Sequence, residues 1–576
     1  MRMVNQLQAT PPVFYSDLRH LVYETAETFG DKPLYDYMEG GEQKTITYRA
    51  FADMVEAFGT ALEVRGLLGG RIAVIGETHP AYLATYIATI ATGGVIIPMD
   101  KELAPDQVAA FMKQAEADAV VYTPSMNGRF EPTDPAYEFL KLLIPVAPTE
   151  SMVEEGRVVF YDTLLSEGRT AYDAGNTAFA SRELVMDVCS ILLFTSGTTG
   201  TSKGVMLSHG NIIAALNSAT HTMPYDASCR FVSVLPVHHT YEMLCGQLGV
   251  VAIGGSMFIN DSIKRVVKNF ATYKPNTLIL VPLFVETLYK RIWDKIRQRG
   301  MEKKVRFGMK LAERMLGVGI DIRKKLFSEI TDAFGGELKS IVCGGAPINP
   351  KIIHDMYLFG VTIFEGYGIT ECSPLVAVNS DRVLRPRSVG KPVFGCEVKI
   401  DFEGSEAPAD GSPRTGEILV KGPNVMLGYY KNEEATAEVF TEDGFFRTGD
   451  IGYLDKDNYI FITGRKKNVI ILSNGKNVFP EELEEYLAEI PEILESVVVG
   501  RKENGAEVAI VAIVVPNAEH PSIVGKTPAE VYKLLHEAVM AVNKRLPTFK
   551  HITGIEVRNE EFEKNTSRKI KRYLVK

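Results

Sequence analysis

LLFTSGTTGTSKGVMLSHGNI, residues 192–212, sets a run of hydroxyl residues and glycines directly behind an apolar, strand-like segment. Thr195, Ser196, Gly197, Thr198, Thr199, Gly200, Thr201 and Ser202 follow one another there, and Lys203 comes next. Glycine lets consecutive backbone N–H groups turn toward one anion, and the hydroxyls add donors, which together meet the needs of a triphosphate. The same composition also suits a flexible linker. Position argues for the anion cradle, because the stretch is wedged between SILLF and GVMLS with a helix expected from Ser208 onward. The spacing excludes a Walker loop, which needs Gly-Lys-Ser/Thr five residues after its first glycine; position 202 is Ser, and Lys203 precedes Gly204.

Working outward, short apolar runs recur on both sides: RIAVI (71–75), GGVIIPM (93–99), ADAVVYT (117–123), FVSVLP (231–236), TLILVP (277–282) and LKSIVCGG (338–345). Runs of this length between helix-like segments predict buried parallel strands with crossover helices, an α/β layout. From Gly390 the texture changes to short alternating strands with turn residues, a small antiparallel β unit. A third region beginning near Arg465 mixes strands, a helix from Pro528 to about Arg545 and a basic tail, in which Lys571 and Arg572 read as solvated charges.

A chain of 576 residues exceeds what one core of roughly 250 to 300 residues holds, so at least two domains are expected. The longest apolar window, residues 86–99, is broken by Gly93 and Gly94 and is too short to cross a bilayer. The first residues lack the apolar core of a secretory signal, so a cytoplasmic location is expected. Six scattered cysteines without a C-x-x-C pair read as free thiols. A net charge of -9 argues against a general nucleic-acid binder.

Further blocks follow the loop in order: GGAP (344–347), EGYGITE (365–371), GFFRTGD (444–450), GRKKNVIILSNGKNVFPEELE (464–484) and KNTSRKIKR (564–572), with a weaker TITYRAF (45–51) upstream. With these the sequence resembles the adenylate-forming superfamily of acyl-CoA synthetases, adenylation domains and luciferases. The resemblance implies a large N-terminal domain of stacked α/β sheets over residues 1–466, with a small β-barrel subdomain at about 390–464. A small mobile α+β C-terminal domain over residues 467–576 would follow.

It also implies residue roles. Thr195, Ser196, Gly197, Thr198, Thr199, Gly200 and Lys203 would hold the triphosphate of ATP, and Thr370 and Glu371 would contact phosphate and Mg²⁺. Tyr367 would stack on adenine beside the backbone of Gly344, Gly345 and Ala346. Asp450, an acceptor-only side chain, would take the ribose hydroxyls, with Arg465 as a further ribose or phosphate contact. Lys569 would bridge the substrate carboxylate and the α-phosphate, neutralising charge as it develops. The family usually has glycine before this lysine, and here Arg568 stands in its place. Lys467 would be the hinge that swaps the C-terminal domain between half-reactions, and Gly475 would let the pantetheine arm of coenzyme A pass.

Residues 283–334 form a long helical, basic-amphipathic stretch whose apolar positions read as core, yet which looks like the long-chain fatty acyl-CoA synthetases. LPVHHTYEM (235–243) points the same way. It offers His239 as a residue beside the acyl pocket, with His238 structural, and has no Asp nearby to pair an α-amino group. The expected activity is therefore ATP-dependent activation of a fatty, long-chain acid and transfer to CoA. The alternatives are transfer to a carrier-protein pantetheine and a nucleotide-binding module without chemistry. Expected partners are these small molecules, not nucleic acid. The basic patch at residues 303–306 fits either a solvated helix face or a peripheral contact with an anionic membrane surface.

Overall fold

Five parallel strands make up one side of the largest sheet, through to its edge, in the computed structural model, which describes residues 3, 7, 13–195, 202–380, 383–403, 411, 413–472, 477–503, 507–564 and 570–575. Its seven strands run in the order Gly428–Tyr429, Lys203–Ser208, Cys189–Thr195, Val95–Met99, Arg71–Ile75, Ala119–Tyr122, Leu142–Pro145; the first two pair antiparallel and the rest parallel. These are the apolar runs of the sequence, and four of the five parallel strands are nearly free of solvent contact on both faces, as parallel sheets require. The apolar window at residues 86–99 is no span: it divides into the end of helix Pro80–Ala91, all twelve residues of which are buried, and strand Val95–Met99. Among the described residues no helix is long and apolar enough to cross a membrane.

A second sheet of five strands has Thr277–Leu280, Ser340–Gly344 and Thr362–Gly368 parallel, then Leu375–Val378 and Lys391–Pro392 antiparallel. A third, of four strands, joins Glu42–Thr47 and Pro33–Glu39 to Ser256–Ile259 and Arg230–Ser233. One hydrophobic core runs through all three, with Tyr35, Tyr48, Phe58, Tyr82 and Phe270 among its fully buried side chains. The helical stretch resolves into helices Pro282–Gln298, Glu302–Gly317 and Arg323–Thr331.

The β unit is a four-stranded antiparallel sheet, Glu397–Asp401, Gly416–Lys421, Phe446–Leu454, Ile460–Arg465. Its first and last described strands are edges, so it is open where a barrel was expected; four short strands are too few to close around a filled interior. The turn Lys466–Asn468 leads out of it to the C-terminal segment. There strands Ile493–Glu503, Glu507–Pro516 and Gly554–Val557 and helix Pro528–Val542 enclose a separate core around Leu483, Val514, Leu535 and Val539. Helix Pro528–Val542 begins as its sequence dictates, with Thr527 and Glu530 exchanging hydrogen bonds in a capping box.

Candidate active site

The two ends of the glycine-rich loop are fixed by strand pairing. Thr195 lies opposite Lys203 in the Cys189–Thr195/Lys203–Ser208 ladder, and its hydroxyl reaches the Lys203 carbonyl at 3.4 Å. Ser196, Gly197, Thr198, Thr199 and Gly200 lie outside the described residues, as do Lys569 and Gly475. Ser208 caps the helix that follows, its hydroxyl accepting from Asn211 N–H at 3.0 Å.

The link between the loop and the other blocks is residues 422–430, which fall in the expected β unit and carry no expected part in the site. Leu427 and Tyr430 donate backbone N–H groups to Met206 and Gly204, at 2.9 and 2.7 Å. Met426 donates to the Glu371 carbonyl at 2.8 Å, and the Asn424 amide reaches the carbonyls of Cys372 and Leu375 at 3.2 and 2.7 Å. Tyr429 then sits between two blocks. Its hydroxyl donates to Glu371 Oε1 at 3.1 Å, and the Lys203 ammonium lies 4.7 Å from its ring centroid. Glu371, on the single turn Thr370–Cys372, forms no ion pair with a described cation. A half-buried carboxylate without a cationic partner, beside the Thr370 hydroxyl, suits Mg²⁺, which is held by one or two carboxylates and the substrate's own phosphates.

Strands Ser340–Gly344 and Thr362–Gly368 end side by side, which brings GGAP and EGYGITE together. Gly345 has φ +90°, in the left-handed region, and turns the chain so that it and Ala346 are exposed at the strand end. At Gly368 a Cβ would stand 2.1 Å from the Pro374 carbonyl, so no larger residue fits. Tyr367 is buried, and its hydroxyl donates to Asp450 Oδ2 at 2.6 Å. Arg465 Nε holds the other oxygen of Asp450 at 2.6 Å, across adjacent strands. Burial, reinforced by Asp450, pushes Tyr367 well above the ordinary phenol range, so it serves as a donor. Tyr367, Asp450 and Arg465 thus form one polar chain from the glycine shelf to the edge of the turn Lys466–Asn468, which contains Lys467.

Behind this shelf lies a narrow, apolar cavity of about 80 Å³ whose walls include Tyr225, Phe231, Tyr241, Cys245, Ile279 and Val342. Gly344, Gly345, Tyr367 and Gly368 line it as well. One wall is the π-helix Tyr241–Leu248, whose wide turns put Tyr241, Cys245 and the following Gly249 on one face. Burial pushes the Cys245 thiol up to about 12, so it is an inert surface for an apolar ligand. His239 is in the turn ahead of this helix and is not among the wall residues. His238 packs on it with ring centroids 4.1 Å apart and stands 3.6 Å from Asp100. Burial brings His238 down to about 4, so it is neutral. An aspartate therefore does approach this block, from a distant point in the chain.

The π-helix is tied down by a buried carboxyl. Glu242 Oε1 accepts from Ser233 Oγ at 2.6 Å and Gln247 Nε2 at 2.7 Å, and burial raises its pKa to about 7. The folded value lies above the unfolded one, near 4.5, so the wild-type protein loses stability as pH rises from the lower value through the upper. Glu242→Gln is expected to gain about 2 kcal/mol relative to wild type between about pH 5 and pH 8. Thermal melts at those two pH values check this; an unchanged gap between the two proteins would contradict it.

At the C-terminal block the solvated reading of Arg572 fails. Its guanidinium bonds Glu484, with Glu481 4.0 Å away, both on helix Pro480–Leu487 just beyond the turn Lys466–Asn468. Lys564 is paired with Glu495 and Glu561, and Lys564 and Ile570 form an antiparallel bridge. Acidic residues from helix and strand explain this, since two cations stand opposite carboxylates that burial has already partly desolvated; sequence spacing gave no sign of it.

A glycine-lined shelf, a buried aromatic bonded to an aspartate and an adjoining apolar cavity lie together in the large domain, with Glu371, which has no ion-pair partner among the described residues, in the block that follows Tyr367. The chain belongs to the AMP-binding enzyme family: the profile so described matches residues 22–430, and that of the AMP-binding enzyme C-terminal domain matches residues 467–575. It is similar to the peroxisomal long chain acyl-CoA synthetase 7 of Arabidopsis thaliana, 29% identical over 82% of this chain and 69% of that one. It is also similar to the chloroplastic long-chain-fatty-acid–[acyl-carrier-protein] ligase AEE15 of the same plant, 28% identical over 89% of this chain and 78% of that one. Among solved structures, the anthranilate CoA ligase AuaEII in complex with anthranoyl-AMP shares the fold, with a TM-score of 0.76 at 17% identity over 98% of this chain and 97% of that one.

Proposed function

We propose that this enzyme activates a long-chain fatty acid with ATP, forming the acyl-adenylate and pyrophosphate, and then passes the acyl group to coenzyme A with release of AMP. The observation that supports this reading best is that Tyr367 lines an apolar cavity together with Gly344 and Gly345 while its hydroxyl bonds Asp450, which Arg465 holds from the other side.

In this reading Asp450 accepts the ribose hydroxyls, Tyr367 flanks the base, and Gly344, Gly345 and Ala346 line it with backbone. The loop of Thr195, Ser196, Gly197, Thr198, Thr199 and Gly200, with Lys203, cradles the β- and γ-phosphates. Thr370 and Glu371 hold Mg²⁺, which when bound neutralises phosphate charge. Lys569 supplies the positive charge at the α-phosphorus as the carboxylate attacks and pyrophosphate leaves. Lys467 is the pivot between residues 1–466 and 467–576, withdrawing Lys569 and admitting the thiol past Gly475. The cavity as described holds only a short alkyl segment, so a long chain requires its π-helical wall to yield.

Pyrophosphate release across a panel of carboxylic acids, with and without CoA, tests this. kcat/KM is expected to rise about threefold to fourfold for each added methylene, from about 0.8 kcal/mol of burial, until the cavity is full. Absence of activity with every acid of about eight carbons or more would remove the long-chain assignment. The likeness to the acyl-carrier-protein ligase supports a second acceptor. A preformed adenylate discharged by a carrier protein and not by free CoA would favour it.

A further inference from the structure

The outward face of helix Glu302–Gly317 and the segment beyond it carry a pattern that the active site does not use. Residues 299–326 contain nine Lys and Arg against three Asp and Glu, in a chain whose net charge is -9. Arg299, Arg306 and Arg323 are paired with carboxylates, and Arg306 also packs on Trp293. Lys303, Lys304, Lys310, Arg314, Lys324 and Lys325 are all exposed, and none forms an ion pair with a described carboxylate. Interleaved with them are large apolar side chains open to solvent: Phe307 is 70% exposed, Val318 71%, Ile320 50%, Leu326 41% and Leu311 38%.

This is not the inward stripe of an ordinary surface helix. Val305, Met309 and Ala312 already supply that stripe, and Gly308 lets Phe327 approach to 3.4 Å of where a Cβ would be. Phe307, Leu311 and Val318 lie on the opposite side, four and seven residues apart, with the cations beside them. Solvated charge alone explains the lysines and leaves the exposed Phe, Val and Ile without a reason. Phosphate of a nucleic acid would likewise use the cations and not the apolar groups. A helix with exposed aromatic and aliphatic side chains among unpaired lysines matches the interfacial zone of an anionic bilayer, where the apolar groups enter the acyl boundary and the cations meet lipid phosphates.

We infer that this face, Lys303 to Leu326, docks the enzyme on the surface of an anionic membrane with Phe307, Val318 and Ile320 inserted. The inference rests on the proposed function in one respect: an acid with a long alkyl chain is dissolved in that bilayer, so docking brings the enzyme to its substrate. It needs no transmembrane segment.

The test is flotation of the full-length protein with phosphatidylcholine vesicles, with and without phosphatidylglycerol. Wild type is expected to float with the anionic vesicles, to be released by high salt, and to stay behind with the neutral ones. Lys303→Glu with Lys310→Glu should lower anionic-vesicle affinity by about tenfold or more, as should Phe307→Ser with Val318→Ser. Pyrophosphate release on a short, soluble acid should be unchanged in both, and its loss in wild type would count against the proposed function and not against docking. Equal flotation with neutral and anionic vesicles, or none with either, overturns the inference. So does retention on an immobilised polyanion that falls in the lysine variant while the Phe307→Ser, Val318→Ser protein floats as wild type does, since that pattern belongs to a nucleic-acid or acidic-protein partner.

Discussion

Lys569→Ala is expected to reduce adenylate formation by about a hundredfold to a thousandfold, while thioester formation from supplied acyl-AMP stays within a few-fold of wild type. The first half-reaction gathers negative charge on one phosphorus as the carboxylate attacks, and a single positioned cation in a water-poor site is worth roughly 3 to 4 kcal/mol at such a centre. The second half-reaction builds no comparable charge at that position. Pyrophosphate exchange and discharge of acyl-AMP by CoA separate the two. Equal loss in both would mean that Lys569 serves the fold or both steps, and the division of labour between the two parts of the chain would have to be abandoned. Lys571 is the internal control. It sits opposite Glu563 at 3.7 Å, and its removal should leave both half-reactions near wild type.

Asp450→Asn is expected to lower kcat/KM for ATP by about a hundredfold or more. The carboxylate is 3% exposed and has a donor on each oxygen, Tyr367 on one side and Arg465 on the other. An amide keeps one acceptor and turns the other position into a donor facing a donor, leaving a buried polar group unpaired at a cost of about 2 to 3 kcal/mol or more. A ribose offered to the same group loses its acceptor as well. Steady-state kinetics over ATP concentration, with a melting curve to show that the protein is folded, give the answer. A variant within threefold of wild type would remove Asp450 from the nucleotide site.

Much of the fold was legible because parallel strands buried on both faces must be continuous apolar runs, and RIAVI, VIIPM, AVVY and SILLF are such runs in their own right. The blocks around Tyr367, Asp450 and Arg465 were legible as residue types, though not that they bond in one chain. Residues that act across the sequence were not legible. Tyr429 joins Lys203 to Glu371 through contacts that span about half of the large domain, and nothing in its neighbours marks it. The cavity wall was hidden for a different reason: Tyr241, Cys245 and Gly249 share one helical face, but the other walls, Tyr225, Phe231, Ile279 and Val342, come from elements far apart in the chain. Arg572 looked solvated because its partners, Glu481 and Glu484, are carried by another element, the helix Pro480–Leu487.

The largest sheet is finished late. Its strand Lys203–Ser208 receives its outer neighbour, Gly428–Tyr429, only from the far end of the large domain. On the ribosome, at about 5 to 20 residues per second, that edge waits roughly 10 to 40 seconds for its cover. Through that interval the strand leading out of the phosphate loop offers unpaired N–H and C=O groups to any other chain, the condition under which sheets join the wrong partner. The nascent enzyme therefore carries an open edge at the strand from which its triphosphate site is later built, and truncations ending before residue 428 should aggregate more than the full chain does.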